Sequence, residues 1–242
     1  MQVDVGIIGG TGIGDRLASL GGIVTHVPTP FGVMRGVVLE HKGARLFLVR
    51  RHSAGHKTPP HRVNYQAFAA GLKFLGARHC FASAAVGSLR SEWSPGTFVA
   101  CHDFIDLTFR NLTMFDRKVE HRDFTDPTSP LGNRALFEAG HELGIEVQRK
   151  GVYIGLNGPR YETPHEIQML KNIGDVVGMT ASTEAICMRE AGISYSCLAV
   201  VTNLAAGISE TPLHHGEVVE VMQTRGEQAV QLFLNAAQIV SQ

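Results

Sequence analysis

Residues 158–184 read GPRYETPHEIQMLKNIGDVVGMTASTE: two turns joined by one helix, around which the rest of the chain can be placed. The first turn, Gly158-Pro159-Arg160-Tyr161-Glu162-Thr163-Pro164, sets a cation and a carboxylate close together. Pro164 suits the first position of a helix, where its missing N–H would have no partner anyway. Ile167 and Leu170 give that helix an apolar side. The second turn, Gly178-Met179-Thr180-Ala181-Ser182, follows the apolar pair Val176-Val177. Ser182 or Thr183 is expected to cap a further helix beginning near Glu184. Backbone amides and a hydroxyl at the start of a helix can bind an anion.

Upstream, the polar signals fall where strands end. Val3–Ile8 is a short apolar run, hence a buried strand. It leads into Gly9-Gly10-Thr11-Gly12-Ile13-Gly14, a glycine-rich turn whose N–H groups can approach a phosphate. A dinucleotide fingerprint would need glycine three places after Gly12, where Asp15 stands, and an acidic residue at a strand end roughly 20 positions on. Neither is present. No tyrosine is followed four residues later by lysine, which also argues against a short-chain dehydrogenase. Thr29-Pro30-Phe31-Gly32 is a turn between strands. Val33–Leu39 and Ala44–Val49 read as a hairpin closed near Lys42-Gly43, and its second strand delivers Arg50-Arg51-His52. Arginine offers a planar fork that suits phosphate oxygens. His52, His56 and His61 fit no single helical face, Pro59-Pro60 breaks any helix and no carboxylate lies among them, so no metal is expected.

A helix is expected over His61–Leu75, with Val63, Ala67, Ala70 and Phe74 inward. Arg78–Ala82 is a strand ending in Ser83-Ala84-Ala85-Val86-Gly87-Ser88-Leu89, small residues that allow close backbone approach. Phe98–Leu107 is another strand. Asn111–Pro127 is long and irregular, the kind of loop that is usually functional or disordered. Arg134–Leu143 reads as a helix, and Gly151–Gly155 as a strand. Tyr195–Val201 is an apolar strand running into Thr202-Asn203-Leu204-Ala205-Ala206-Gly207. Glu217–Val240 is a closing amphipathic helix with Val218, Val221, Met222 and Phe233 inward.

With 242 residues and no linker, repeat or low-complexity run, residues 1–242 are expected to form a single α/β domain with a central mixed β-sheet flanked by helices. Lys plus Arg and Asp plus Glu both number 22, and the charges are well mixed. A nucleic-acid partner, which needs a basic face, is therefore not expected. The chain lacks a signal-peptide pattern and an apolar run of membrane length. Cys80, Cys101, Cys187 and Cys197 form no close pair in sequence. They read as buried thiols in a reducing compartment, so a cytoplasmic protein is expected.

GPRYETPHEI, VGMTASTEA, the GGTG turn, Arg51-His52 and VNYQA together resemble the trimeric purine nucleoside phosphorylases, in the branch that includes methylthioadenosine phosphorylase. The resemblance covers nearly the whole chain. It implies phosphorolysis of a nucleoside, with inorganic phosphate as co-substrate and no metal or organic cofactor. It implies that Thr11, Arg51, His52, Ala84, Ala85 and Thr180 hold phosphate. Ala84 stands where methylthioadenosine phosphorylase has threonine, which leaves only backbone contact there. The family motif reads RHG where this chain has Arg51-His52-Ser53, so the glycine is not matched. Met179, Asn203, Leu204 and Ala205 are implied at the nucleoside, with Asn203 also catalytic, and His56 matches a histidine beside the active site. The loop over Asn111–Pro127 is implied to reach a neighbouring subunit's site in a homotrimer, with Phe115 and His121 as candidates.

Four positions depart from what the resemblance to methylthioadenosine phosphorylase would imply, and they point to the substrate. Asn203 and Ala205 replace the aspartate pair that serves a 6-amino purine; an amide can donate to a 6-oxo group and engage N7. Glu162 replaces a serine and can accept the N1–H of hypoxanthine or guanine. His215 replaces an apolar residue of the methylthio pocket and suits a 5′-hydroxyl. The expectation is a purine nucleoside phosphorylase acting on inosine or guanosine. S-methyl-5′-thioinosine or methylthioadenosine phosphorylase is the alternative, and a non-catalytic nucleoside binder a more distant one.

Overall fold

Small and apolar residues fill the strand β5 (His79–Ser88), which is buried along most of its length and therefore accepts neighbours on every side. Strands β1 (Val5–Gly9) and β9 (Ser194–Leu204) run parallel to it, and β8 (Val176–Gly178) pairs antiparallel with Gly87 and Ser88. The computed structural model from which this follows describes residues 2–209 and 216–242, together with the backbone of His215. Outward from β1 come parallel β4 (Ala44–Arg50), then antiparallel β3 (Gly32–His41) and β2 (Ile23–Thr29) at the edge. On the other side β9 pairs with β6 (Phe98–Asp106), β6 with β7 (Val147–Gly155) and β7 with β8, so this half of the sheet closes back onto β5. The result is the expected mixed sheet, with nine strands among the described residues.

Helices cover both faces. On one, α1 (Ile13–Ser19), α3 (Pro130–Leu143) and α6 (His215–Ser241) bury Leu17, Leu136 and Phe233 against Ile7, Phe81 and Val200. On the other, α2 (Tyr65–Phe74) and α5 (Ala181–Ala191) bury Phe68, Leu72 and Met188 against Phe47, Ala82 and Cys197. A third, smaller cluster under α4 (Pro164–Leu170) contains Ile167 and Leu170, the apolar side read from the sequence. Thr163 caps α4: its hydroxyl accepts from the Glu166 amide while the Glu166 carboxylate accepts from the Thr163 amide, with Pro164 at the first turn.

Three local expectations are corrected. The segment 61–75 is not one helix. A 3-10 turn at Pro60–Arg62 precedes α2, and the Asn64 side chain caps α2 by accepting from the Ala67 amide at 3.0 Å. Val63 and Ala67 are buried as expected, but Phe74, at the C-terminal end of α2, is 77% exposed, while Phe68 and Leu72 are buried as well. Helix α3 starts at Pro130, where Ser129 caps it, ahead of the expected Arg134. Neither Ser182 nor Thr183 caps α5. The helix begins at Ala181, after Thr180; Ser182 Oγ donates to Asp106 Oδ1 at 2.7 Å, and Thr183 Oγ1 accepts from Arg110 Nη1 at 3.0 Å.

Candidate active site

Because β1, β4, β5 and β9 are mutually parallel neighbours, their C-terminal ends lie at one edge of the sheet, where clefts form in α/β folds. A cavity of about 630 Å³ opens there. Thr11 follows β1, Arg51 and His52 follow β4, Ala85 and Gly87 end β5, and Asn203 ends β9; all of them line it. Met179 and Thr180, between β8 and α5, also line it, as do Pro159, Tyr161 and Glu162 of the first quoted turn. A register shift between Val86 and Gly87 places Gly87 beside Asn203.

Eight of the expected site residues therefore meet: Thr11, Arg51, His52, Ala85, Glu162, Met179, Thr180 and Asn203. Ala84, Leu204 and Ala205 are not among the described lining residues. Strand alternation turns the Ala84 side chain into the core, and Ala205 packs in the cluster under α4. The His215 side chain lies outside the described residues. Phe115 and His121 do not line the cavity of this chain; the Phe115 ring lies under the Lys118 and Arg122 cations.

The Arg51 fork does not point at an anion. Its Nε and Nη2 donate to the two carboxylate oxygens of Glu184 at 2.6 and 2.8 Å, and Nη1 donates to the Ser83 carbonyl at 2.7 Å. Both side chains are buried. Burial opposes the Arg51 charge, but attraction and hydrogen bonds from Glu184 outweigh it, so the guanidinium pKa is raised. Tyr195 Oη donates to the same carboxylate at 3.0 Å. Gly10 makes the arrangement possible, since a Cβ there would run into Arg51 Nη1. Only the second protons on Nη1 and Nη2 remain for the cavity.

His52 is held differently. Its Nδ1 lies 2.8 Å from the Thr58 carbonyl and so carries the proton and donates. Burial, the Arg51 charge and His56 push its pKa down to about 3, against the pull of the Thr58 carbonyl. The ring is therefore neutral near pH 7, and Nε2 is an acceptor, suited to a protonated phosphate oxygen or a sugar hydroxyl. Ser53, where the family motif has glycine, adopts a left-handed φ of 61°, the conformation glycine reaches at least cost.

The start of α5 is not an open anion cradle either. The amides of Thr180 and Ala181 donate to Tyr153 Oη at 3.0 and 3.2 Å, which leaves the Thr180 hydroxyl to face the cavity. Glu162 is half-buried, and burial raises its pKa. Arg160, expected beside it, instead grips Glu166 with Nη1 and Nη2 at 2.9 and 2.7 Å. Glu162 is thereby left to the cavity.

Asn203 is oriented without ambiguity. Nδ2 donates to the Leu204 carbonyl at 3.0 Å, which puts Oδ1 against the Thr202 hydroxyl at 2.9 Å. The second Nδ2 proton is left for the cavity. Arg110, which sequence reasoning passed over, ties the walls together. Its five N–H groups all donate, to Asn157 Oδ1 and O, Tyr65 Oη, Thr183 Oγ1 and the Met179 carbonyl.

A neutral amide donor, a carboxylate acceptor and a separate set of anion-handling groups in one cleft define a site for a polar heterocycle beside an anion. The chain belongs to the Phosphorylase superfamily, which it matches over residues 4–238. It is 41% identical over 242 residues to a probable 6-oxopurine nucleoside phosphorylase of Moorella thermoacetica, covering 96% of this chain and 91% of that one. It is 38% identical over 234 residues to a probable S-methyl-5′-thioinosine phosphorylase of Methanopyrus kandleri, covering 96% and 90%. The fold superposes on methylthioadenosine phosphorylase from Schistosoma mansoni in complex with adenine with a TM-score of 0.93 at 30% identity, covering 99% of this chain and 92% of that one. Among the described residues no helix is long and apolar enough to cross a membrane, and no cluster of His, Cys, Asp and Glu is placed to hold a metal ion.

Proposed function

We propose that this chain is a purine nucleoside phosphorylase that cleaves 6-oxopurine nucleosides, inosine and guanosine, to free base and ribose 1-phosphate. The pairing of Asn203 with Glu162 in one cavity carries the reading. Glu162 accepts N1–H, and the free Nδ2 proton of Asn203 donates to N7 or O6. Thr11, His52, Thr180 and the remaining Arg51 protons hold phosphate at the opposite end. A phosphate oxygen attacks C1′ as the bond from C1′ to N9 breaks; the bonding pair passes to the purine, where Asn203 stabilises it. Catalysis then rests on positioning and on charge stabilisation. Phosphate is a co-substrate, and no metal or organic cofactor takes part.

Base release should depend on phosphate and yield ribose 1-phosphate in equal amount. Hypoxanthine release at the same rate in phosphate-free buffer would make the protein a hydrolase and sink the proposal. S-methyl-5′-thioinosine is a second reading, favoured by Val218 of α6, which gives the cavity an apolar patch. Comparing inosine with S-methyl-5′-thioinosine in the same assay separates the two.

A homotrimer is part of the proposal, supported by family membership. In it the loop 111–127 completes the neighbour's site. Glu190 anchors that loop by accepting from the Met114 amide at 2.6 Å, and Gln66 Nε2 donates to the Thr113 carbonyl at 2.7 Å. Sedimentation velocity should give a trimer at assay concentrations; a fully active monomer would refute it. Cytoplasmic placement, which the four buried, unpaired cysteines support, belongs to the same proposal.

A further inference from the structure

The charges around the cavity do not suffice for an anion unless one further residue is counted. Among the described residues its charged lining groups are Arg51, Glu162 and Lys57. Glu184 already matches the Arg51 charge in a buried pair. Glu162 is an acid. The neutral His52 ring adds no charge. Arg110 stands behind the wall, and all five of its donors are spent on neutral partners. Beside the titratable His56 ring, that leaves Lys57 as the remaining permanent cation among the described lining residues; it is exposed at the mouth and has no ion-pair or hydrogen-bond partner among the described residues.

The turn that carries Lys57 is built to hold it there. His52 and Thr58 close the turn reciprocally: the Thr58 amide donates to the His52 carbonyl at 3.0 Å, and His52 Nδ1 donates to the Thr58 carbonyl at 2.8 Å. Ser53 Oγ and Thr58 Oγ1 form a third link at 2.8 Å. Between them Ser53, Gly55 and His56 all take left-handed φ values, of 61°, 70° and 55°. Such backbone persists only where the surroundings impose it. Lys57 is adjacent to Thr58, so its backbone is anchored beside His52 while its ammonium remains free to swing on a flexible stem.

We propose that Lys57 is a phosphate-binding residue of this enzyme, supplying the net positive charge that the neutralised Arg51–Glu184 pair does not. The inference rests on the phosphorylase reading and deepens it. An ammonium with no partner among the described residues draws in the anion and then donates to its oxygens.

The test uses the full chain and the variants Lys57→Gln and Lys57→Arg. In Lys57→Gln the KM for inorganic phosphate should rise about tenfold, the effect of losing one charged hydrogen bond. The KM for inosine should move by less than twofold, and Lys57→Arg should restore most of the loss. The phosphate KM of the wild type should climb with added salt, and that of Lys57→Gln should climb less steeply. Calorimetric titration with inorganic phosphate alone gives a readout that needs no nucleoside chemistry and should show the same tenfold weakening. Unchanged phosphate affinity and KM in Lys57→Gln would overturn the role of Lys57, even with wild-type cleavage strictly dependent on phosphate. Wild-type cleavage independent of phosphate would instead overturn the phosphorylase reading.

Discussion

Replacing Glu184 with glutamine is expected to lower the unfolding free energy by about 3–5 kcal/mol, because it leaves a buried guanidinium without a counter-charge. For a chain of this size that corresponds to a drop in melting temperature of about 10 °C. Burial sets the size of the effect: the side chains of Arg51 and Glu184 are 1% and 0% exposed, so water cannot take over the role of the missing partner. Glutamine could still accept from one nitrogen, but it cannot balance the charge. The same physics predicts a rescue. Arg51→Met with Glu184→Leu and Tyr195→Phe removes the pair together with the hydroxyl that donates to it. Apolar replacements of buried ion pairs are often neutral or stabilising, so the triple variant should recover most of the lost stability. It should not recover activity. The remaining Arg51 protons are gone, and loss of one donor to developing or bound negative charge typically costs about 10²–10³ in rate. Differential scanning calorimetry and phosphate-dependent inosine cleavage separate the two effects. A Glu184→Gln protein with wild-type melting temperature would show that the pair is not what keeps Arg51 in place.

That pair also marks the limit of the sequence. Arg51 was legible as a cation at a strand end, and its place in the cleft followed from the strand order. Glu184 lies 133 residues away and looked like the first residue of an ordinary helix. Nothing in local spacing distinguishes a carboxylate that starts a solvated helix from one buried under an arginine. The anion cradle at Thr180 was misjudged for a related reason. Its amides were visible in the turn, but the hydroxyl that occupies them belongs to Tyr153, on a strand whose apolar pattern said only that it was buried. By contrast, the place of Pro164 in the first turn of α4 is legible in the sequence. The proline and the capping residues act within a few positions of one another, so the local sequence contains the whole cause. Of the expected inward residues around α2, Val63 and Ala67 are buried, but Phe74 falls at the C-terminal end of the helix and is exposed, because apolar spacing does not say how far along a helix its cover extends. Local chemistry was readable, then, and what the folded chain brings together from afar was not.

Asn203→Asp is expected to lower inosine turnover by about 10²–10³, and the structure makes the reason specific. In the wild type the amide is fixed by two neighbours: Nδ2 donates to the Leu204 carbonyl, and Oδ1 meets the Thr202 hydroxyl. One Nδ2 proton is therefore left over, and in the proposed reaction it meets the negative charge that grows on N7 and O6 of the departing purine. An ionised carboxylate in the same position has no proton to offer. One of its oxygens would also oppose the Leu204 carbonyl, an unfavourable contact that a proton between them relieves. The substitution thus loses the transition-state donor and adds a negative charge beside a 6-oxo group. A 6-amino group can donate to such a carboxylate, so adenosine cleavage should rise relative to inosine. Glu162, proposed to accept an N1–H that adenine lacks, remains in the cavity. The switch should accordingly be partial, because a site built around a hydrogen bond rejects a substrate that cannot make it. Since the lost interaction strengthens in the transition state, the effect should fall mainly on kcat, with a smaller change in KM. Turnover and kcat/KM for both nucleosides, wild type against variant, decide the matter: unchanged inosine turnover in Asn203→Asp would mean that the amide does not touch the base.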